Sequence, residues 1–374
     1  MKLFEHQAKE LFQEAGIPVP EGKLAVNASE VDAAVREVGL PCAIKAQVLQ
    51  GGRGKAGLIQ LASTVEEVQK KSEQIFGFLG NGSSLLIEQA LDIERELYLS
   101  ITAEPETGSA LVMASAEGGV EIEEIARTAP EKIVRERVDL SEGLLPYEAR
   151  NVMFELGLEG HGVTQGSAML SSLYDLFQRY DAELVEINPL VVTEGGTLVA
   201  ADGKVTIDDS SLSRQGHFSL SRDYFESDVE YEAAVEGIPY LRFDGEIGLM
   251  CAGAGLTNVI YDLVNYGGGS VASYVEFGGP NYNKAATAMR LAMQSRPKVL
   301  LVVTFGTIAR ADVIAEGLAE AIEELRPDFP IVAAIRGTGE EKVRELLRGV
   351  GLEPLDDTEE AVEKAIELAG SAER

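Results

Sequence analysis

The chain has 374 residues and a formal net charge of −30, with 62 acidic against 32 basic side chains. Its length exceeds that of one typical domain and predicts two or three units with cores of their own. So acidic a surface would repel phosphate backbones, which argues against nonspecific nucleic-acid binding, and no run approaches the roughly 18 apolar residues of a membrane span.

The cysteines and the first residues indicate the compartment. Cys42 and Cys251 both lie in apolar, strand-like runs, and we expect buried, unpaired thiols rather than a disulfide framework. The chain opens without the basic-then-apolar pattern of a secretory signal. These features predict a soluble cytoplasmic protein without a membrane anchor.

In chain order, the first part of the sequence predicts an α+β domain. Helical apolar spacing covers residues 2–15 and 28–38, and strands are predicted near 41–48, 84–89, 96–103 and 110–116. Pro146 can begin a helix to about Leu156, and a second periodic stretch covers 163–180 before a strand at 183–187. Residues 206–236 are polar and predict a linker with one amphipathic helix. We therefore place the domain boundary near Gly237, giving domains 1–236 and 237–374.

Beyond that boundary, strand and helix patterns alternate. Strands are predicted at 246–251, 271–276, 298–304 and 330–335, and helices at 256–266, 283–294, 310–324 and 339–349. This alternation is typical of an α/β fold with a doubly wound parallel sheet. Ligands of such sheets bind beyond the carboxyl ends of the strands, which here means the loops at 252–255, 277–281, 305–309 and 336–338.

Two polar residues interrupt an apolar, hairpin-like segment at 186–204. Asp202 follows Asn188 by fourteen residues, and each lies between apolar runs. Magnesium prefers oxygen ligands and usually shares its coordination with substrate phosphates, so an Asn carbonyl and an Asp carboxylate suit a magnesium-nucleotide site. The alternative is that both are ordinary turn residues.

A second segment has the composition of a phosphate site. Lys45 lies in an apolar strand pattern, and a glycine-rich loop at 51–57 follows it with Arg53 and Lys55. Glycines let backbone amides approach a phosphate, and the cations neutralise its charge. The order GxxxxGK[ST] is absent, which excludes a P-loop. A flexible basic loop is the competing interpretation.

A third segment could contact the nucleoside. An apolar run beginning at Leu86 carries Glu88, and Glu96 precedes the next apolar run. Strand-end backbone and carboxylate groups can bind a purine and a ribose, although single glutamates at strand ends are usually just solvated.

These segments, together with residues 3–9 and 117–123, resemble in their order the β subunit of succinyl-CoA synthetase over essentially the whole chain. The resemblance implies an N-terminal ATP-grasp domain followed by a flavodoxin-like CoA-ligase domain. By position, it also implies nucleotide binding by Lys45, Gly52, Arg53, Gly54, Glu88, Leu91 and Glu96, and magnesium binding by Asn188 and Asp202.

The implied reaction is reversible and needs a partner. An acid, CoA and ATP or GTP give acyl-CoA, the nucleoside diphosphate and phosphate, through a phosphohistidine on a separate α subunit that binds most of the CoA. In this chain, the helix that starts near Arg310 would direct its amino end at the phosphohistidine, with Thr307 beside it. We expect Arg310 and Thr307 to act catalytically.

The expected acid site departs from the succinate pattern. Ala252 stands where the succinate enzymes usually have Asn, and residues 278–281 and Thr307 also differ from their loops. Succinate is therefore the default acid, and citrate or malate is the alternative because several of these segments resemble ATP-citrate lyase and citryl-CoA synthetase. The residues expected to bind the acid are Ala252, Gly279, Pro280, Thr307, Ile308, Ala309 and Arg336.

Two other classes compete with the ligase. The turn 253–255 and Glu276 partly match a dinucleotide-binding fingerprint, but Asn258 occupies the third glycine position and argues against a dehydrogenase. Altered acid loops could also belong to a nucleotide-binding partner without turnover. The residues do not distinguish ATP from GTP as the nucleotide, nor an αβ from an α₂β₂ assembly.

None of the three histidines has the pattern of a phosphorylated residue. His6 falls in the first predicted helix, His161 at a helix start and His217 in the polar linker. We expect His161 to be a surface residue whose replacement by alanine leaves turnover nearly intact.

Overall fold

A computed structural model of the chain describes residues 1–49, 51–80, 82–216, 218, 220–225, 227–306 and 309–371. The chain divides into two compact units, Met1–Ser219 and Leu220–Arg374. Cys42 and Cys251 are both buried and free, as the sequence predicts. In the part of the chain that the structure describes, no helix combines the length and the apolar character needed to cross a membrane.

The first unit contains six α-helices and ten strands among its described residues. The helices are α1 (Glu5–Glu14), α2 (Ala28–Val38), α3 (Val65–Leu79), α4 (Ile122–Thr128), α5 (Pro146–Glu155) and α6 (His161–Arg179). The strands are β1 (Gly22–Ala25), β2 (Cys42–Ala46), β3 (Ile59–Ala62), β4 (Leu85–Gln89), β5 (Ile93–Glu104), β6 (Ser109–Ser115), β7 (Ile133–Asp139), β8 (Ala182–Thr193), β9 (Leu198–Ala200) and β10 (Lys204–Ile207). Every element that the sequence predicts before residue 187 is present, but β8 continues to Thr193.

A small antiparallel sheet has the strand order β1-β4-β2-β3 and packs against α2 and α3. Each helix begins at a side-chain cap, because Asn27 accepts the N–H of Glu30 and Thr64 accepts the N–H of Glu67. The glycine-rich segment is the hairpin connection from β2 to β3. It therefore lies at one end of this sheet, next to the strand that carries Lys45.

A larger antiparallel sheet has the order β10-β8-β5-β6-β7, and β9 also pairs with β8. Helices α1, α5 and α6 cover it with a core that includes Phe12, Met153 and Leu170. Strand β8 pairs with three strands, so the polar residues of β8 are held in a fixed register.

The second unit is a doubly wound sheet. Its helices are α7 (Asp228–Glu236), α8 (Ala254–Tyr266), α9 (Ala285–Gln294), α10 (Ala311–Leu325), α11 (Glu340–Gly349) and α12 (Thr358–Ser371). Its strands are β11 (Tyr240–Arg242), β12 (Ile247–Cys251), β13 (Val271–Glu276), β14 (Val299–Gly306) and β15 (Ile331–Gly337). The order is β11-β13-β12-β14-β15. Four strands are parallel in the flavodoxin-like order, and helices cover both faces.

Three features of the second unit differ from the sequence prediction, and one of them is helix α12, which the sequence did not predict. The sheet is not wholly parallel, because the short edge strand β11 runs antiparallel to β13. The unit also begins at Leu220, before the predicted boundary near Gly237. Helix α7 is polar and weakly periodic, which is why the sequence assigned it to a linker, yet its Val229 and Ala233 pack into the second unit's core.

Candidate functional site

Six charged side chains meet between the small and the large sheet of the first unit. They are Glu5 and Lys9 of α1, Lys45 of β2, Arg53 of the glycine-rich loop, Glu88 of β4 and Asp202 of the turn between β9 and β10. We call this group the ionic cluster. It brings together four residues that the sequence singled out, from segments far apart in the chain, and adds two from the first helix.

Glu5 lies at the centre of the ionic cluster, with 1% of its side chain exposed. Its Oε1 is 2.8 Å from Lys9 Nζ and 2.9 Å from Lys45 Nζ. Its Oε2 accepts a hydrogen bond of 2.6 Å from Arg53 Nη1. One carboxylate thus contacts a helix lysine, a strand lysine and a loop arginine.

Glu88 and the carbonyl of Ala201 hold the two lysines from the other side. Lys9 Nζ lies 2.6 and 2.7 Å from the two carboxylate oxygens of Glu88, and Lys45 Nζ lies 2.7 Å from one of them. Both ammonium groups donate to Ala201 O, at 2.7 Å from Lys9 and 2.5 Å from Lys45. The lysines therefore share both acceptors.

Burial and pairing move the pKa values of the ionic cluster in opposite directions. Burial alone would raise the pKa of Glu5, but the charges of Lys45, Lys9 and Arg53 hold it well below the usual range. Burial and repulsion by Lys45 lower the pKa of Lys9. Burial opposes the charged form of Lys45, yet Glu5 and Glu88 raise the pKa of its ammonium group. Lys45 therefore stays a cation, as a group that binds phosphate must.

Asn188, one predicted metal ligand, lies on β8, and Asp202, the other, lies in the short connection between β9 and β10, the two strands that pair with β8 on either side. Leu190 lies opposite Ala200, and Glu186 lies opposite Lys204, so the same register continues on either side. Directly opposed residues of antiparallel strands point to the same face with Cβ atoms about 5 Å apart. The spacing of fourteen residues therefore places Asn188 and Asp202 at matching positions of this register.

The oxygen donors of this pair suit magnesium. Asn188 Oδ1 accepts the N–H of Gly119 at 2.8 Å, and Asp202 carries a carboxylate. No cluster of three or more His, Cys, Asp or Glu side chains that could hold a metal occurs among the described residues. Magnesium often takes one or two protein oxygens and completes its shell with water and substrate phosphates, so two ligands fit this ion when a nucleotide is bound.

Glu186 is a further carboxylate beside this pair that the sequence analysis did not assign. It precedes Asn188 by two positions on β8 and therefore points to the same face. Burial raises its pKa, and Tyr98 donates a hydrogen bond of 3.0 Å to it. A partly buried acid with a raised pKa, two positions from a predicted metal ligand, is a candidate for a functional role.

The glycine-rich loop connects the cluster to the metal pair through Arg53. Arg53 Nη2 forks onto the two carboxylate oxygens of Asp202 at 2.7 and 2.8 Å. Gly52 adopts a φ of 74°, a conformation that favours glycine, and a Cβ at Gly54 would meet no atom within 4 Å. The space beside these two glycines is therefore open.

The remaining nucleotide candidates, Leu91 and Glu96, lie outside the ionic cluster. Leu91 is half-buried in the connection from β4 to β5, and Glu96 lies half-buried on β5. A Cβ at Gly119 would come within 2.4 Å of Glu96 Oε2. The glycines at 118 and 119 thus allow the loop to lie against β5, where Asn188 clamps it by also donating to Val120 O at 2.9 Å.

The second unit's expected acid site is defined by close backbone approaches. A Cβ at Gly278 would lie 2.4 Å from Ala252 Cβ, so the two loops touch. A Cβ at Gly337 would lie 1.9 Å from Gly306 O, and Thr338 N donates to the same oxygen at 2.9 Å. The ends of β12 and β13, and those of β14 and β15, are therefore drawn together in pairs.

Arg310 precedes α10 at this edge of the sheet. Its Nε and Nη2 donate to the two oxygens of Asp312 at 3.0 and 2.9 Å, and 53% of the arginine side chain remains exposed. The partly buried Ala309 lies just before it. The pairing with Asp312 fixes the orientation of the guanidinium while leaving one of its edges open to solvent.

Other expected acid-site residues are placed differently or fall outside the description. Arg336 Nε lies 2.7 Å from Glu340 Oε1 and its Nη1 donates to Asp356 O, so this guanidinium is already paired within the unit. Gly279 and the backbone of Pro280 form a 3-10 turn after β13. Thr307 and Ile308 lie outside the described residues.

Neither of the two described histidines, His6 and His161, belongs to the ionic cluster. His6 Nδ1 is 3.0 Å from Gln47 Oε1, His161 is exposed at the start of α6, and His217 lies outside the described residues.

Two residues of the ionic cluster, Glu5 and Lys9, contributed to the resemblance but were assigned no role. Their signal was an opposite-charge pair with a spacing of four on a helix face that is otherwise apolar.

Two family models match the chain. Residues 2–192 match the model of the ATP-grasp domain, and residues 250–368 match the model of the CoA-ligase. The predicted order of an ATP-grasp domain and a CoA-ligase domain is confirmed. The fold also resembles that of ATP citrate lyase from Methanothrix soehngenii, with a TM-score of 0.74 at 20% identity over 98% of this chain and 99% of that chain.

Several CoA-ligase subunits are similar over nearly their whole length. The ADP-forming sulfoacetate-CoA ligase subunit SauC of Bilophila wadsworthia (strain 3_1_6) is 53% identical over 99% of both chains. The corresponding subunit SqwK of Acholeplasma sp is 50% identical over 100% of this chain and 93% of its own. The β subunit of the ADP-forming succinate-CoA ligase of Ignicoccus hospitalis is 39% identical over 100% of both.

Proposed function

Since the chain belongs to the family of ADP-forming acid-CoA ligase subunits, with an ATP-grasp domain before a CoA-ligase domain, we propose that it is the nucleotide-binding subunit of a sulfoacetate-CoA ligase. The reaction is sulfoacetate + CoA + ATP = sulfoacetyl-CoA + ADP + phosphate, carried out with a partner subunit. The observation that carries the choice of acid is the 53% identity to a sulfoacetate enzyme subunit, against 39% to a succinate enzyme subunit.

The ionic cluster supports the nucleotide half of this proposal. Lys45 and Arg53 would bind the phosphates, and Asn188 and Asp202 would bind magnesium. The ion would neutralise charge on the phosphates when bound, and phosphoryl transfer depends largely on such positioning and neutralisation. Arg53 and magnesium would use the same oxygens of Asp202, so we expect Arg53 to turn from Asp202 to the phosphates when the ion binds.

The edge of the second unit supports the acid half. Ala252 offers no side-chain amide, and its Cβ already touches the backbone at Gly278. A sulfonate is a tetrahedral group with three oxygens, so a site that receives it differs in shape and donors from one for a planar carboxylate. Arg310, half-exposed and oriented by Asp312, would serve the phosphoryl group that the partner subunit carries.

Succinate is the second candidate acid, because several relatives at 37–40% identity are succinate-CoA ligase β subunits. The experiment co-expresses the chain with its α-like partner and measures magnesium- and CoA-dependent ADP formation with sulfoacetate, succinate, malate and citrate. We expect kcat/KM for sulfoacetate to exceed that for succinate at least tenfold. A preference for succinate would overturn the acid assignment, and an inactive complex would favour a nucleotide-binding partner without turnover.

A single substitution sharpens the same test. Ala252→Asn adds an amide where the two loops touch, so we expect it to lower kcat/KM for sulfoacetate about tenfold while the KM for ATP stays unchanged. The matched control is Ala103→Asn, on an exposed position of β5. Equal activity of the two variants toward sulfoacetate would remove Ala252 from the acid site.

A further inference from the structure

We propose that Glu5 and Lys9 of the first helix are positioning residues for nucleotide binding, and that they hold Lys45 and Arg53 where the phosphates need them. The proposal rests on the nucleotide site proposed above and goes beyond it, because it assigns a role to two residues that would not touch the nucleotide. Three observations support it. Glu5 makes four contacts, Lys9 and Lys45 share their acceptors, and the charges of the ionic cluster balance.

Both oxygens of the Glu5 carboxylate are occupied, by the strand lysine Lys45 at Oε1 and by the loop arginine Arg53 at Oε2. Gln47 Nε2 adds a contact of 3.4 Å to Oε2. With 1% of its side chain exposed, Glu5 has little access to water. It therefore ties the end of β2 to the inward-bent side chain of the loop.

Lys9 keeps the acceptors of Lys45 satisfied. The two lysines share Glu88 and Ala201 O, and Lys9 contacts both oxygens of Glu88. When Lys45 turns toward a phosphate, Lys9 remains as the counter-ion of Glu88. A buried carboxylate without a partner costs several kcal/mol, so Lys9 lowers the cost of releasing Lys45 to the nucleotide.

The charge balance makes these roles testable. The ionic cluster contains three cations, Lys9, Lys45 and Arg53, and three anions, Glu5, Glu88 and Asp202. Replacing Glu5 by Gln leaves an excess positive charge in a buried place. Replacing Lys9 by Met in addition restores neutrality without restoring the contacts of Glu5.

Helix α1 has anchors outside the cluster, so these variants should fold. Phe12 is fully buried in the large core, and a Cβ at Gly203 would lie 2.6 Å from Phe12 Cε2. The backbone N–H of His6 donates to Gln47 Oε1 at 3.0 Å, and Leu3 N donates to Val205 O at 2.9 Å. The position of the helix is thus fixed by packing and backbone contacts.

The experiment measures binding of a fluorescent ADP analogue with magnesium to the complex with the partner subunit, and thermal unfolding without nucleotide. We expect Glu5→Gln to weaken ADP binding at least tenfold and to lower the Tm. The double variant Glu5→Gln/Lys9→Met should recover the Tm but still bind ADP at least fivefold more weakly than the wild type. The KM for CoA should not change, and Glu10→Gln, on the exposed face of the same helix, is the matched control.

The outcomes separate this inference from the proposed function. If the wild-type complex binds no ADP in the presence of magnesium, the proposed nucleotide site is wrong. If the wild type binds ADP and the double variant binds it equally well, Glu5 and Lys9 only balance charge for folding, and the positioning role is overturned. Tight ADP binding by Glu5→Gln itself would overturn it in the same way.

Discussion

The first unit builds its candidate site from buried charges, whereas the second builds its candidate site from backbone shape. In the first, six ionic side chains neutralise one another, and the glycines of the loop are open to solvent. In the second, glycines are pressed against neighbouring backbone, and in the ion pair of Arg310 with Asp312 the arginine is half-exposed and the aspartate is buried. The two sites should therefore fail in different ways when they are altered.

The difference reflects what each site would bind. A nucleotide with magnesium brings large opposite charges, and a buried network that can exchange its partners receives them without exposing an unpaired ion. A small acid offers few atoms for contact, so discrimination between acids depends on the positions of the loops around it. Substitutions that keep shape but remove charge should harm the first unit, and substitutions that keep charge but add volume should harm the second.

The largest expected effect is on the shape of the second unit. Gly337 has a φ of 124°, and an added Cβ would lie 1.9 Å from Gly306 O, a backbone atom that cannot move alone. We expect Gly337→Ala to lower the free energy of unfolding of this unit by roughly 4 kcal/mol, as strain and overpacking combine. Urea denaturation measures it.

A control separates strain from collision. Gly268 also has a positive φ, 84°, but its added Cβ would meet no atom within 4 Å. We expect Gly268→Ala to cost only about 1 kcal/mol. Equal losses in the two variants would show that backbone conformation, rather than the close approach of β14 and β15, sets the sensitivity of this edge.

The next effect concerns charge in the first unit. Asp202→Asn keeps the shape of the side chain but removes the charge that pairs with Arg53 and would bind magnesium. We expect magnesium-dependent ATP turnover to fall on the order of 100-fold, since loss of even an outer partner of a metal site costs 10- to 100-fold. Asp175→Asn, on the exposed face of α6, is the control. A change below threefold would exclude Asp202 as a ligand.

A smaller effect tests whether orientation matters in the exposed pair. Arg310→Lys keeps the charge but cannot fork onto Asp312. We expect turnover to fall about tenfold with the Tm within about 2 °C of the wild type, because lysine keeps a cation beside Asp312 and a pair with an exposed partner stabilises a fold little. Arg348→Lys, which breaks a similar fork with Glu353, should leave turnover unchanged. Equal turnover of both variants would remove Arg310 from the site.

The contrast between the two units also bears on how much of the fold and of the candidate sites the sequence predicts. Periodicity located the four parallel strands of the doubly wound sheet and helices α8 to α11, because their apolar residues recur at strand or helix spacing. It missed the three-residue strand β11 and helix α12, and it assigned the polar α7 to a linker. The spacing of Asn188 and Asp202 was visible as a hairpin pattern, and the pairs on either side, Glu186 with Lys204 and Leu190 with Ala200, keep that register. The pairing of Arg53 with Asp202, and of Glu5 with Lys45, joins segments far apart in the chain, and no local pattern encodes such contacts.

The smallest expected effect is at His161. Its side chain is exposed at the first position of α6, after Gly160, and it is no member of the ionic cluster. Because the phosphorylated histidine is expected on the partner subunit, His161→Ala should change ATP- and acid-dependent turnover by less than twofold, the size usual for a surface substitution. Steady-state rates of the complex measure this. A loss of tenfold or more would place a proton-transfer or phosphoryl-transfer step on this unit, and the first unit would then act through more than buried charge.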